Sequence, residues 1–158
     1  MSHLPRRVFL QRSVAAGASF WAAGTMPHLA LRAAENEADK QREVLPVAAV
    51  TTVYRKNSHA DVILGKILEG YDQLGGPGPK LKLVSVYTDQ VPDNDISRPL
   101  AEKHGFAICN TIEEALTLGT GKIAVAGVLS IGEHGKYGVA EKTGQTMYPR
   151  WRFFDGIA

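Results

Sequence analysis

The stretch Pro46-Val47-Ala48-Ala49-Val50-Thr51-Thr52-Val53-Tyr54-Arg55-Lys56-Asn57-Ser58-His59-Ala60-Asp61, with the periodic segment that continues to Leu74, decides the fold. Residues 47–54 are apolar or β-branched without hydrophobic/polar alternation. That pattern belongs to a strand covered by helices on both faces, and so to a central strand of a parallel sheet. Arg55-Lys56-Asn57 is a polar turn. Ser58-His59-Ala60-Asp61 then has the S-x-x-D form of a capping box, whose hydroxyl and carboxylate supply partners for amides at a helix N-terminus. From there Ala60, Ile63, Leu64, Ile67, Leu68, Tyr71 and Leu74 recur at three- and four-residue steps, predicting an amphipathic helix that Gly75-Gly76 stops. In a doubly wound sheet the first strand-to-helix turn is where ligands gather, because helix amides and the dipole point out of the carboxyl edge.

Working outward, Gly75-Gly76-Pro77-Gly78-Pro79 makes a turn, and Lys80 to Thr88 reads as a second strand that ends at Asp89. Ser97 to Gly105 reads as a second helix with Pro99 in its first turn. Phe106-Ala107-Ile108-Cys109 is a short third strand. Thr111-Ile112-Glu113-Glu114 is another capping box, opening a helix through Leu118 that Gly119 ends. Lys122 to Ile131 is a fourth buried strand, followed by the glycine-rich loop Gly132-Glu133-His134-Gly135-Lys136-Tyr137-Gly138. Strand and helix alternate with short connections, so the expected architecture is an α/β fold with a parallel sheet of about four strands flanked by helices.

With 158 residues, 44% hydrophobic and 22% charged, the chain fits one globular domain plus an appendage. The net charge of +2 is misleading, because residues 1–34 hold Arg6, Arg7, Arg12 and Arg32 and no acid. The remainder carries fourteen basic and sixteen acidic side chains, a balance of −2, and no clustered basic footprint for nucleic acid. A single cysteine, Cys109, rules out an intramolecular disulfide and reads as a small buried residue at a strand end. No G-x-S-x-G, Walker A or H-E-x-x-H occurs, and His59, His104 and His134 show no metal-ligand spacing, so no metal site is expected.

Pro5-Arg6-Arg7-Val8-Phe9-Leu10-Gln11 resembles the twin-arginine export motif, with Gln11 in place of its final lysine. Ser13 to Thr25 is an Ala- and Gly-rich apolar run, too short and too weakly hydrophobic for a stable membrane span. The resemblance implies a signal peptide over residues 1–34, a polar linker over 35–45, and a folded protein delivered to the periplasm or cell envelope.

Three positions stand out at the carboxyl edge of the expected sheet. The turn of Tyr54, Arg55, Asn57 and Ser58 faces a ligand site. Asp89 either accepts hydrogen bonds from a ribose diol or starts a turn with Asp93, Asn94 and Asp95. His134, with Glu133 and Lys136, either serves a site by moving protons or holding charge, or sits in a solvated turn.

The order of parts over residues 46–134 resembles the nucleotide-binding domain of the Gfo/Idh/MocA oxidoreductases. The matching runs are Ala101-Glu102-Lys103-His104-Gly105-Phe106, Thr111-Ile112-Glu113-Glu114-Ala115-Leu116, and the strand Ala124 to Ile131. The resemblance implies a Rossmann-like fold holding NAD or NADP. Tyr54, Arg55, Asn57 and Ser58 would lie at the pyrophosphate, Asp89 at the adenine ribose, and Ile131 to His134 near the nicotinamide, with His134 as a catalytic proton carrier. Hydride transfer to a sugar-like alcohol would be the family's reaction. Two departures bear on activity: the 54–59 turn has no glycine where the family has G-x-G-x-x-G, and the family's Glu-Lys-Pro motif and C-terminal substrate domain are missing from this sequence. Residues 135–158 read as a loop and the start of a helix cut short, with Trp151, Phe153 and Phe154 as an aromatic cluster suited to self-association. The expectation is therefore a domain incomplete as an enzyme. The alternatives are a non-catalytic binding or assembly module and, third, a small-ligand site built on Arg55, His59 and His134.

Overall fold

The structure, a computed structural model, describes residues 43–158. The expected twin-arginine signal over residues 1–34 and nearly all of the expected linker over 35–45 lie outside the described residues. Four strands, β1 (Leu45–Thr51), β2 (Leu81–Thr88), β3 (Ala107–Cys109) and β4 (Gly127–Ile131), form one sheet in the order β3-β2-β1-β4, and every pairing is parallel. Four helices accompany them: α1 (His59–Glu69), α2 (Ser97–His104), α3 (Ile112–Thr117) and α4 (Arg150–Ile157). This is a Rossmann-like α/β arrangement. The sheet winds outward from β1 to β3 and then returns to the other side of β1, so the switch point lies between β1 and β4.

Burial on both faces explains the continuous apolar character of β1, where residues 47–51 are all buried. One face carries Ala49, Leu83, Val86, Ile108, Leu129 and Ile131 against Ala60 and Leu64 of α1 and Leu100 and Ala101 of α2. The opposite face carries Ala48, Tyr87, Cys109 and Val128 with Ala115 of α3. Alternation of side chains along each strand produces this division, with one exception. Between Val47↔Leu83 and Ala48↔Ser85 the register slips, leaving Val84 as the extra residue of a bulge. That slip lets Leu83 and Val86 share a face although they are three residues apart. It also turns Ser85 toward α3, where its buried hydroxyl donates to Ala115 O at 2.6 Å.

Several boundaries move for local reasons. Helix α1 stops at Glu69, not near Leu74, because Gly70 takes φ +84 and ψ 171, a conformation open essentially to glycine alone. The chain doubles back there, and Tyr71 N donates to Pro77 O at 2.9 Å. Tyr71 and Leu74 therefore leave the apolar stripe, and Leu74 is 86% exposed. Strand β4 starts at Gly127 instead of Lys122, since Ala124 N is taken by Leu116 O and Ile123 points into solvent. Helix α3 ends one residue early, with Leu118 itself in the left-handed cap position at φ +50. Both expected N-caps form, Ser58 accepting from Asp61 N and Thr111 from Glu114 N.

Candidate functional site

All the candidate residues sit at or beyond the carboxyl edge of the sheet, where β1, β2 and β4 end side by side. The chain leaving β1 is locked to both neighbours: Asp89 N donates to Thr51 O, Gln90 N to Thr52 O, and Thr52 N to Ile131 O, at 2.8–3.2 Å. The Thr52 hydroxyl also donates to Glu133 O, which fastens the loop after β4 over the end of β1. The opening turn and the β4 loop thus meet across the switch point, as the topology requires.

Within the turn the expected residues take different roles. Tyr54 is fully buried, with its ring in the core and its carbonyl accepting from Ile96 N at 2.8 Å. Burial, followed by the nearby Asp61, Glu69 and Asp95 carboxylates, pushes its hydroxyl far up, so it stays protonated. Its side chain is a core group whose buried hydroxyl has no hydrogen-bond partner among the described residues. Ser58 is buried, and its hydroxyl accepts from Asp61 N and Arg55 N, each at 3.3 Å. Asn57 adopts φ +62 and gives its N–H to Asp61 Oδ2 at 2.8 Å, while Ser58 N donates to Arg55 O. The amides of Asn57, Ser58 and Asp61 already have partners in the chain.

His59, the first residue of α1, reaches the β4 loop. Its Nδ1 lies 2.9 Å from His134 Nε2, and the two rings stack with centroids 4.8 Å apart. Which ring donates and which accepts is set by the tautomers of the two imidazoles. His134 is held at φ +66 by the tight loop around it. His59 also lines a 310 Å³ cleft with Ile63, Ser130, Gly132, Glu133 and Arg150. Arg150 pairs with the Glu133 carboxylate. Among the described residues no three His, Cys, Asp or Glu side chains gather as a metal set would require.

Asp89 lies in a separate cluster. Its Oδ1 accepts from Tyr87 Oη at 2.8 Å and Arg152 Nη2 at 2.6 Å, and its Oδ2 from Tyr137 Oη at 2.8 Å. Burial pushes this carboxyl up. The Arg152, Tyr137 and Tyr87 hydrogen bonds and the Arg152 charge outweigh that effect and hold it below the usual carboxylate range. The same contact drives Tyr137 the other way: burial first, then its bond to Asp89, keep that hydroxyl protonated well above its ordinary range. Arg152 also lies over the Phe153 ring, 5.3 Å from its centroid, and Phe153 is fully buried with its edge toward Tyr87. Helix α4 is thereby fixed to the sheet edge by two arginines, Arg150 beyond β4 and Arg152 beyond β2.

The dinucleotide implied by the family resemblance does not fit this edge in the usual way. The turn carries side chains where a pyrophosphate needs bare backbone, the amides of Arg55, Asn57 and Ser58 are already engaged, and Asp89 has three donors where a ribose diol would bind.

Sequence reasoning found the turn, Asp89 and His134 but missed Gln90, Tyr137, Arg150 and Arg152. Gln90 clasps Lys136 from both sides, donating to its carbonyl and accepting from its N–H, each at 2.9 Å. Tyr87 and Asp89, two apart and so on one face of an extended chain, were the available hint of the cluster. Nothing in the sequence tied them to Tyr137 and Arg152, 48 and 63 positions beyond Asp89. No protein-family model, curated protein or solved structure matches the chain.

Proposed function

We propose that this chain is a Rossmann-like binding module of Gfo/Idh/MocA type that has kept the fold and lost the dinucleotide turn. It takes a small polar ligand at the carboxyl edge of its sheet and does not transfer hydride by itself. The observation that carries this reading is the glycine-free 54–59 turn, with the amides of Arg55, Asn57 and Ser58 bonded within the chain, together with the three donors already on Asp89. Both features a dinucleotide would use are instead engaged in fixing the chain to itself. His134, expected as a proton carrier, is placed to tie loop to helix through His59. Calorimetric titration with NAD(H) and NADP(H) tests the reading. No heat is expected at millimolar cofactor, and micromolar binding or cofactor-dependent oxidation of a polyol would overturn it.

A second reading, assembly through α4, has its own observation. Trp151 and Phe154 are 75% and 61% exposed with ring centroids 5.9 Å apart, on the side of the helix opposite the buried Phe153. Removing the whole segment would also remove Phe153 and both arginine tethers, so the useful variant is Trp151→Ser with Phe154→Ser. Light scattering that gives the same mass for this variant and the parent would end the idea.

A further inference from the structure

We propose that the cleft between the β1 and β2 ends binds a small phosphate monoester through Arg55 and Lys136. This deepens the reading above by naming the ligand class and place, and it rests on that reading. The cleft measures 460 Å³ and lies between the 54–59 turn, the 90–94 segment and the loop after β4. Arg55 and Lys136 both stand on its wall, with Asn94 as a further polar group and Val53 and Pro92 as an apolar side. No carboxylate lines it, although Asp93 and Asp95 belong to the adjacent segment. Asp95 is turned away, its Oδ2 accepting from Ser97 N, Ser97 Oγ and Arg98 at the start of α2.

Among the described residues Arg98, Arg150 and Arg152 each pair with a carboxylate, and Arg55 is the one arginine that does not. Lys136, like most lysines of the domain, has no acidic partner either, but it lines the same cleft as Arg55. Two cations lining one cleft repel each other, and a dianion bound between them converts that repulsion into two attractions. The backbone positions of both are fixed. Arg55 bridges Asp95 in antiparallel fashion and closes a turn with Ser58, and Lys136 is held by the Gln90 clasp. Gly135 makes the clasp feasible: it sits at φ +100, and a Cβ there would come within 2.7 Å of the Tyr137 ring and 3.1 Å of Gln90 Oε1. Inorganic phosphate underfills a cleft of this size, which lies in the range of small-ligand sites. A monoester with a sugar-sized body uses the cations for its phosphate and the Val53 and Pro92 side for the rest.

The test is calorimetry on the full chain with inorganic phosphate, ribose 5-phosphate and adenosine monophosphate, with adenosine as the uncharged control. Both esters are expected to bind more tightly than phosphate, adenosine not at all, with affinity falling as salt is raised. Arg55→Gln and Lys136→Gln should each weaken the esters about tenfold, the loss typical of one charge-assisted contact. Lys56→Gln removes an exposed cation from the same turn but not from the cleft wall, and should leave affinity within about twofold. Circular dichroism of each variant checks that the fold is intact. Absence of ester binding, equal binding by the Arg55→Gln/Lys136→Gln double variant, or an equal loss in Lys56→Gln would overturn the site. Tight NAD(P) binding with hydride transfer would overturn the binding-module reading instead, and leaves the three lysine and arginine comparisons to be scored on their own.

Discussion

Breaking the contact between Arg152 and Asp89 should loosen the helix that closes the sheet edge, and the effect can be sized. The Asp89 side chain is 13% exposed and that of Arg152 is 53% exposed, so the pair is intermediate between a surface ion pair and a buried one. Exposed pairs contribute about 0.2–1 kcal/mol, and hydrogen bonds to charged groups about 1.5–3 kcal/mol. Solvent reaches the guanidinium, which favours the lower range, so a coupling of about 1 kcal/mol is expected. Arg152→Ala also loses the stacking over Phe153 and the packing of its stem, for a total of about 1.5 kcal/mol. Asp89→Ala leaves Tyr87, Tyr137 and Arg152 without their acceptor and should cost about 3 kcal/mol. The assay is urea unfolding of the two single variants and the double variant, from which a cycle extracts the coupling. Thermal midpoints should fall by about 4 °C per kcal/mol for a chain of this size. The Arg150–Glu133 pair supplies an internal comparison: its side chains are 64% and 37% exposed, so its coupling should be only a few tenths of a kcal/mol. A coupling near zero for Arg152–Asp89, or one no larger than that of Arg150–Glu133, would refute the claim that this cluster fastens α4.

Three further outcomes are expected. Because the Asp89 carboxyl lies below its unfolded value, the unfolded chain takes up its proton first. Its stabilising contribution is complete above about pH 4 and is lost as pH falls through the lower folded value, so acid unfolding of the Asp89→Asn variant should be the shallower of the two. Phe153→Ala removes a fully buried ring from between α4 and Tyr87 and should destabilise by about 4 kcal/mol; a loss under 1 kcal/mol in urea would show that α4 is not packed as described. Gly70→Ala places a Cβ within 2.3 Å of Gly76 O at a backbone conformation closed to alanine, so a loss of about 2–3 kcal/mol is expected, and a stability equal to the parent would mean that the chain does not double back there.

The sequence by itself determined the class of fold and which turns and loops lie at the carboxyl edge of its sheet. A run such as Val47 to Thr51 has no polar face to give to water, so helices must cover it on both sides, and short strand–helix connections then leave a parallel sheet as the solution. Ser58 and Thr111 marked two helix starts for an equally local reason, since a cap is a contact between residues three positions apart. Residues far apart in sequence were beyond its reach. Only the tertiary structure brought His59 to His134, set Arg152 and Tyr137 on Asp89, and left Arg55 and Lys136 on one wall. Periodicity also failed where a single glycine overrode it: the stripe through Tyr71 and Leu74 was intact in the sequence, yet Gly70 turned the chain back before either could be buried. Within an element, local pattern governs which residues share a face, because strand and helix periods are properties of the backbone. Which side chains then meet at the rim depends on the order of the strands and the paths of the loops, and those follow from the packing of the whole domain.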